Sequence, residues 1–119
     1  MLRYLRHPVL HYRLLYLKRQ RLGLLRFVCE DFPWTVWEFR PTSYFAPLRP
    51  LFEREAALAV PGPDDEWQHS VRLIQRLPLR MVWLNGRRIY EWRGFFIRID
   101  GAQAMIRGTG RHVDYDPPI

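Results

Sequence analysis

Four groups of residues in this 119-residue sequence carry side chains that can do chemistry, and each falls short of a reactive site. His7 and His11 stand four apart, a spacing that puts two imidazoles on one helical face for a metal ion. No Cys, Asp or Glu lies near them in sequence, and Pro8 places His7 outside a helix. The pair is therefore expected to be structural or capping, and no metal site is expected. Cys29 adjoins Glu30 and Asp31. Negative neighbours raise a thiol pKa and disfavour a nucleophile, so Cys29 is expected as a small buried residue. His69-Ser70 follows Asp64, Asp65 and Glu66, which fit a helix N-terminal charge cluster better than a catalytic triad. Gly108-Thr109-Gly110 lacks the Lys-Ser/Thr ending of a phosphate loop and follows a strand pattern without opening a helix. No enzyme and no cofactor is expected.

Charge is more informative. Arg3, Arg6, Arg13, Lys18, Arg19, Arg21 and Arg26 all precede residue 30, where there is no Asp or Glu. The remaining 12 basic and 12 acidic side chains cancel. The chain reads as a neutral body behind a cationic arm, and those seven residues are the candidate contacts for an anionic partner. Pro8 suits a first helical turn, Gly23 suits the position past a helix end, and Lys18, Arg19 and Arg21 suit the last turns. The arm is expected to be a helix over Pro8–Leu22. Such a helix is apolar and cationic on nearly every side, with no wide polar face. It would need acidic residues, phosphates or lipid headgroups around it.

Asp31–Pro50 combines Pro33, Pro41, Pro47 and Pro50 with Phe32, Trp34, Trp37, Phe39, Tyr44 and Phe45. The prolines argue against a central strand, and the rings against a free linker. An extended segment lying on another surface is expected, with Trp34, Trp37, Tyr44 and Phe45 as partner anchors. Leu51–Val60 reads as a short helix, and Asp65–Leu77 as a second, capped by Asp64 or Asp65 and ended by Pro78. In that second helix Trp67, Val71, Ile74 and Leu77 should face the core. Asn85-Gly86 between Leu79–Leu84 and Arg87–Trp92 is a two-residue hairpin signal. Phe95–Ile99, Asp100-Gly101 and Ala102–Arg107 give a second hairpin. Arg87, Arg88, Arg93 and Arg98, with Tyr90 and Trp92 interleaved, form a possible secondary basic stripe suited to stacking on unpaired bases.

The expected class is α+β: a basic N-terminal helix, a Pro/aromatic-rich extended segment, two short helices and a C-terminal antiparallel β-meander. The expected divisions are 1–29, 30–63 and 64–119. One cysteine forbids an internal disulfide, and no apolar run approaches the ~20 residues of a membrane span. An Arg-rich, acid-free, leucine-rich N-terminus has the composition of a mitochondrial targeting segment, here expected to stay uncleaved. These features point to a non-catalytic accessory subunit of a large mitochondrial inner-membrane complex, respiratory or ATP-synthase-like. It would sit at the membrane periphery against other protein subunits and anionic lipid such as cardiolipin. The alternative is a ribonucleoprotein component whose arm binds rRNA.

Overall fold

From Tyr12 onward, the residues expected as a basic helix are strand. The computed structural model of the chain describes residues 12–59 and 64–108. Arg3, Arg6, His7, Pro8 and His11 lie outside that range. β1 (Tyr12–Leu17) and β2 (Gln20–Asp31) form an antiparallel hairpin. In an extended chain the side chains alternate, so Leu15 points inward and is fully buried, while Tyr12, on the other face, is exposed. This alternation resolves what a helix could not, because it sends Leu15, Leu22 and Leu25 to the core side of a sheet and leaves Leu14 and Leu24 on its outer face, instead of spreading leucines and arginines around a cylinder. The turn is Lys18-Arg19, with Lys18 at φ 55°, a left-handed conformation usually taken by Gly or Asn.

β3 (Trp34–Pro41) corrects the second expectation. It is a central strand hydrogen-bonded between β2 and β7, not an extended segment laid on another surface. Pro33 precedes it and Pro41 ends it, so the prolines bracket the strand without interrupting its ladder. A 3-10 turn (Ser43–Phe45) leads to α1 (Arg49–Ala59), and α2 (Asp65–Gln75) follows. The Asp64 carboxylate caps α2 by accepting from the Trp67 N–H at 2.8 Å. Four strands complete the described residues: β4 (Leu79–Asn85), β5 (Arg88–Trp92), β6 (Phe95–Asp100) and β7 (Gln103–Gly108).

The strands make one seven-stranded antiparallel sheet in the order β5-β4-β1-β2-β3-β7-β6. The β4–β5 and β6–β7 hairpins form, but each two-residue loop lies one position later than expected: Asn85 pairs with Arg88 and Asp100 with Gln103, so the loops are Gly86-Arg87 and Gly101-Ala102, with Gly86 at φ 66° and Gly101 at φ 61° in the first loop position. They are not one meander. β4 pairs with β1 (Leu17 opposite Leu79) and β7 with β3 (Trp37 opposite Ala104), so the two hairpins flank the N-terminal strands on opposite sides. The α+β description with a separate arm is thus overturned by a strand-dominated sheet that takes strands from all three expected segments.

β5 and β6 are the two edges of this sheet, yet only Arg93 and Gly94 separate them. Three Cα steps reach about 11 Å at most, so the sheet must curl until one end of β5 meets one end of β6. The Trp92 and Phe95 rings meet there at 5.4 Å. Inside the curl lie Leu15, Leu22, Leu25, Trp37, Phe39, Met81, Trp83, Ile97, Ile99, Ala104 and Ile106, joined by Phe45, Phe52 and Ile74 from the helical side. A bulge after Leu15 makes Leu22 the extra residue and sets Gly23 opposite Leu15.

Gly23 is required by contact rather than by backbone freedom. A Cβ there would stand 2.6 Å from the Arg40 carbonyl oxygen and 2.8 Å from Cζ of Phe39. Backbone cannot yield as a side-chain tip can. Gly23→Ala is therefore expected to destabilise the fold by about 1–3 kcal/mol, read as a lower urea midpoint with an unchanged m-value. An unshifted midpoint would contradict the seating of Phe39 on Gly23.

Candidate functional site

The curl divides the expected basic arm among different environments. Arg13 is half-buried and not presented to a partner: its guanidinium lies 3.9 Å from the Trp83 ring centroid and 5.1 Å from that of Trp37. Arg26 bonds Glu38 at 2.9 Å, and Arg40 binds the same carboxylate at 3.1 Å. The hydrogen bond from Arg26, then that from Arg40, holds the Glu38 carboxyl below its ordinary range. Lys18, Arg19 and Arg21 remain exposed on the β1–β2 turn and the start of β2. None of the three has an ion-pair partner among the described residues. The Tyr16 ring lies beside them, 4.6 Å from the Arg80 guanidinium and 6.0 Å from that of Arg21. Arg80 donates to the Lys18 carbonyl at 3.0 Å and pairs with Glu91 at 3.0 Å, bracing the left-handed turn.

The expected aromatic anchors separate too. Trp37 and Phe45 belong to the core, 3% and 1% exposed, so neither is free to anchor a partner. Tyr44 is exposed, and Trp34 is half-buried on the outer face of β3. The secondary basic stripe does not assemble. Arg87 and Arg88 sit at the β4–β5 turn, Arg93 pairs with Glu91 at 3.3 Å beyond β5, and Arg98 turns toward α1. Cys29 is exposed, not buried, because the bulge between Phe27 and Cys29 falls near the open end of β2.

Arg98 leads to the cavity that sequence reasoning missed. Glu55 of α1 is fully buried, and Arg98 Nε and Nη2 donate to it at 3.0–3.1 Å. Trp67 Nε1 of α2 donates to the same carboxylate at 2.8 Å. One carboxylate thus ties α1, α2 and β6 together. Above it, between α2 and the outer face of β3, β7 and β6, opens a cleft of about 510 Å³. Its lining includes Trp34, Trp67, Gln75, Phe96, Arg98 and Arg107. Strand registry explains the grouping: Trp34 and Phe96 both lie opposite Arg107, so three outward side chains align across three strands. The signals available in the sequence are the outward alternation of Arg98 and the i, i+4 pair Trp67 and Val71, whose helical spacing alone indicates only a core face.

A second concavity is nearly all apolar, a shelf on the outer face of β1, β2 and β4 where Leu14, Leu24 and Val82 pair side by side. Among the described residues no three His, Cys, Asp or Glu side chains converge as metal ligands. Among them, too, no helix is long and apolar enough to cross a membrane.

Removing the charge at Glu55 leaves Arg98 partly buried without its counter-ion. Glu55→Gln is expected to cost about 2–4 kcal/mol, measured by chemical denaturation. The double change Glu55→Leu with Arg98→Leu should cost less than the two single changes summed, because no orphan charge remains. A Glu55→Gln chain as stable as the parent would contradict the clamp. No protein-family model, no curated protein and no solved structure matches this chain, so its function is read from this geometry alone.

Proposed function

We propose that the chain is a non-catalytic accessory subunit that docks onto a phosphate-rich surface of a larger assembly through its β1–β2 turn. The observation that carries the proposal is the contrast in charge pairing. Arg26, Arg40, Arg80, Arg93 and Arg98 are each held by a carboxylate, whereas Lys18, Arg19 and Arg21 face solvent together with none among the described residues. Three unpaired cations within four residues repel one another, and an anionic partner relieves that repulsion.

The backbone supports the same reading. A lysine at φ 55° costs about 1–2 kcal/mol relative to a residue suited to that conformation. Strain of this kind is tolerated where the side chain is needed in place. A partner built of headgroups corresponds to the peripheral inner-membrane location in the mitochondrion, and a partner built of RNA to the ribonucleoprotein alternative. Both present phosphodiester groups to the same turn.

Two probes distinguish them: a labelled single-stranded RNA followed by anisotropy, and cardiolipin-containing vesicles followed by co-sedimentation. One probe should bind at low salt. If it is the RNA, three phosphate contacts predict a slope of log K against log salt near about −2. Changing Lys18, Arg19 and Arg21 together to Ala should abolish binding to either probe while leaving the melt intact. Lys18→Gly should uncouple the two properties, stabilising the fold by about 0.5–1 kcal/mol while weakening binding. Failure of both probes at low salt, or a triple variant that binds like the parent, would refute the docking role.

A further inference from the structure

The cleft over Glu55 has the makings of a small-ligand site, and it shares no residue with the basic turn. Its volume, about 510 Å³, lies within the range of pockets that enclose small ligands. Trp34 and Trp67 contribute indole surfaces from β3 and α2, and Phe96 contributes a third ring. Trp34 and Phe96 meet edge to face with centroids 5.7 Å apart, so these walls support each other.

The polar groups are few and distinct. Arg98 is fixed: Nε and Nη2 are bound to Glu55, its guanidinium lies 5.5 Å from the Trp34 centroid, and the Nη1 donors are left unused among the described residues. Its charge is balanced by Glu55. Arg107, exposed at the cleft mouth, pairs with no carboxylate among the described residues. The Gln75 side-chain amide supplies a donor and an acceptor together. The site thus offers ring surfaces, one amide of mixed polarity, a rigid neutralised arginine and one unbalanced cation.

We infer that this cleft binds a nucleoside monophosphate. The base would lie against Trp34 and Trp67, with its polar edge toward Gln75, and the single phosphate would meet Arg107 with help from Arg98 Nη1. One uncompensated charge matches one phosphate better than a di- or triphosphate. Glu55 acts as a positioning residue: it holds Trp67 and Arg98, from opposite sides of the cleft, in fixed orientation before any ligand arrives.

The test is isothermal titration of the full chain with adenosine, guanosine, cytidine and uridine monophosphates. The full chain includes any competition from the Asp114–Asp116 stretch, which follows the last cleft residue in sequence. At least one nucleotide should bind with a Kd below about 1 mM. The free nucleoside and inorganic phosphate should each bind at least about tenfold more weakly, since each lacks half of the recognition. Arg107→Ala, a surface change that leaves the fold intact, should weaken binding about tenfold or more. Trp34→Leu should do the same for all bases alike, with circular dichroism confirming its fold. The triple Lys18, Arg19, Arg21 alanine variant should bind as the parent does. Absence of heat with all four nucleotides, or undiminished binding in Arg107→Ala, would overturn the assignment. So would loss of binding in the triple variant, which would move the site to the turn.

Discussion

The carboxylate of Glu55 is the point on which the helical half of this molecule depends. A buried negative charge is costly unless every lone pair it presents finds a donor. Here α1 supplies the charge, β6 supplies a guanidinium fork and α2 supplies an indole N–H. These three elements meet at one residue whose partners lie 12 and 43 positions away in sequence. Apolar packing at Phe45, Phe52 and Ile74 brings the helices to the sheet but is nondirectional. The hydrogen bonds to Glu55 fix how the helices are rotated, and so decide that Trp67 looks into the cleft.

The curl of the sheet is the complementary constraint. Because only two residues link the edge strands, the sheet cannot flatten, and one concave face becomes the core. The outer face is then divided by what covers it. Over β6, β7 and β3 the helices leave a cleft, and over β1, β2 and β4 a shelf of Leu14, Leu24 and Val82 lies open. At the end where β1 turns into β2, cations gather without counter-ions among the described residues. Architecture, more than any single motif, assigns these surfaces their different characters.

What could be read from the sequence follows from the range of the interactions involved. The α2 boundaries were visible because Asp64 and Pro78 act within a turn of their own positions. The β4–β5 and β6–β7 hairpins were visible because Gly86 and Gly101 carry the turn geometry locally, though the loops fall one residue later than the Asn-Gly and Asp-Gly pairs suggest. The β1–β2 hairpin was hidden because its turn is Lys18-Arg19, two residues with no turn preference, and the sequence carries helix-like punctuation at Pro8 and Gly23. Gly23 is there for Phe39, a contact that no local rule can see. The mismatch was nonetheless present in the sequence as a helix with no polar face. The cleft was half legible. Trp34 and Arg98 were singled out, for other roles, while Arg107, Gln75 and Phe96 join them only through strand registry and helix docking.

The position of β1 carries a consequence for how this chain is made. β1 pairs with β2 almost at once but waits for β4, whose Arg80 reaches back 62 residues to Lys18. β3 waits similarly for β7, the last strand among the described residues. A chain leaving the ribosome at about 5–20 residues per second therefore spends seconds as a three-stranded ribbon with both edges bare. Those edges are long and apolar, the kind that pair with neighbouring chains. Changes that delay the arrival of β4 or β7 should lower the yield of folded protein even where the finished molecule is as stable as before. In this topology, the hazard that β1 and β3 present as bare edges belongs to the nascent chain and ends once β4 and β7 have paired with them.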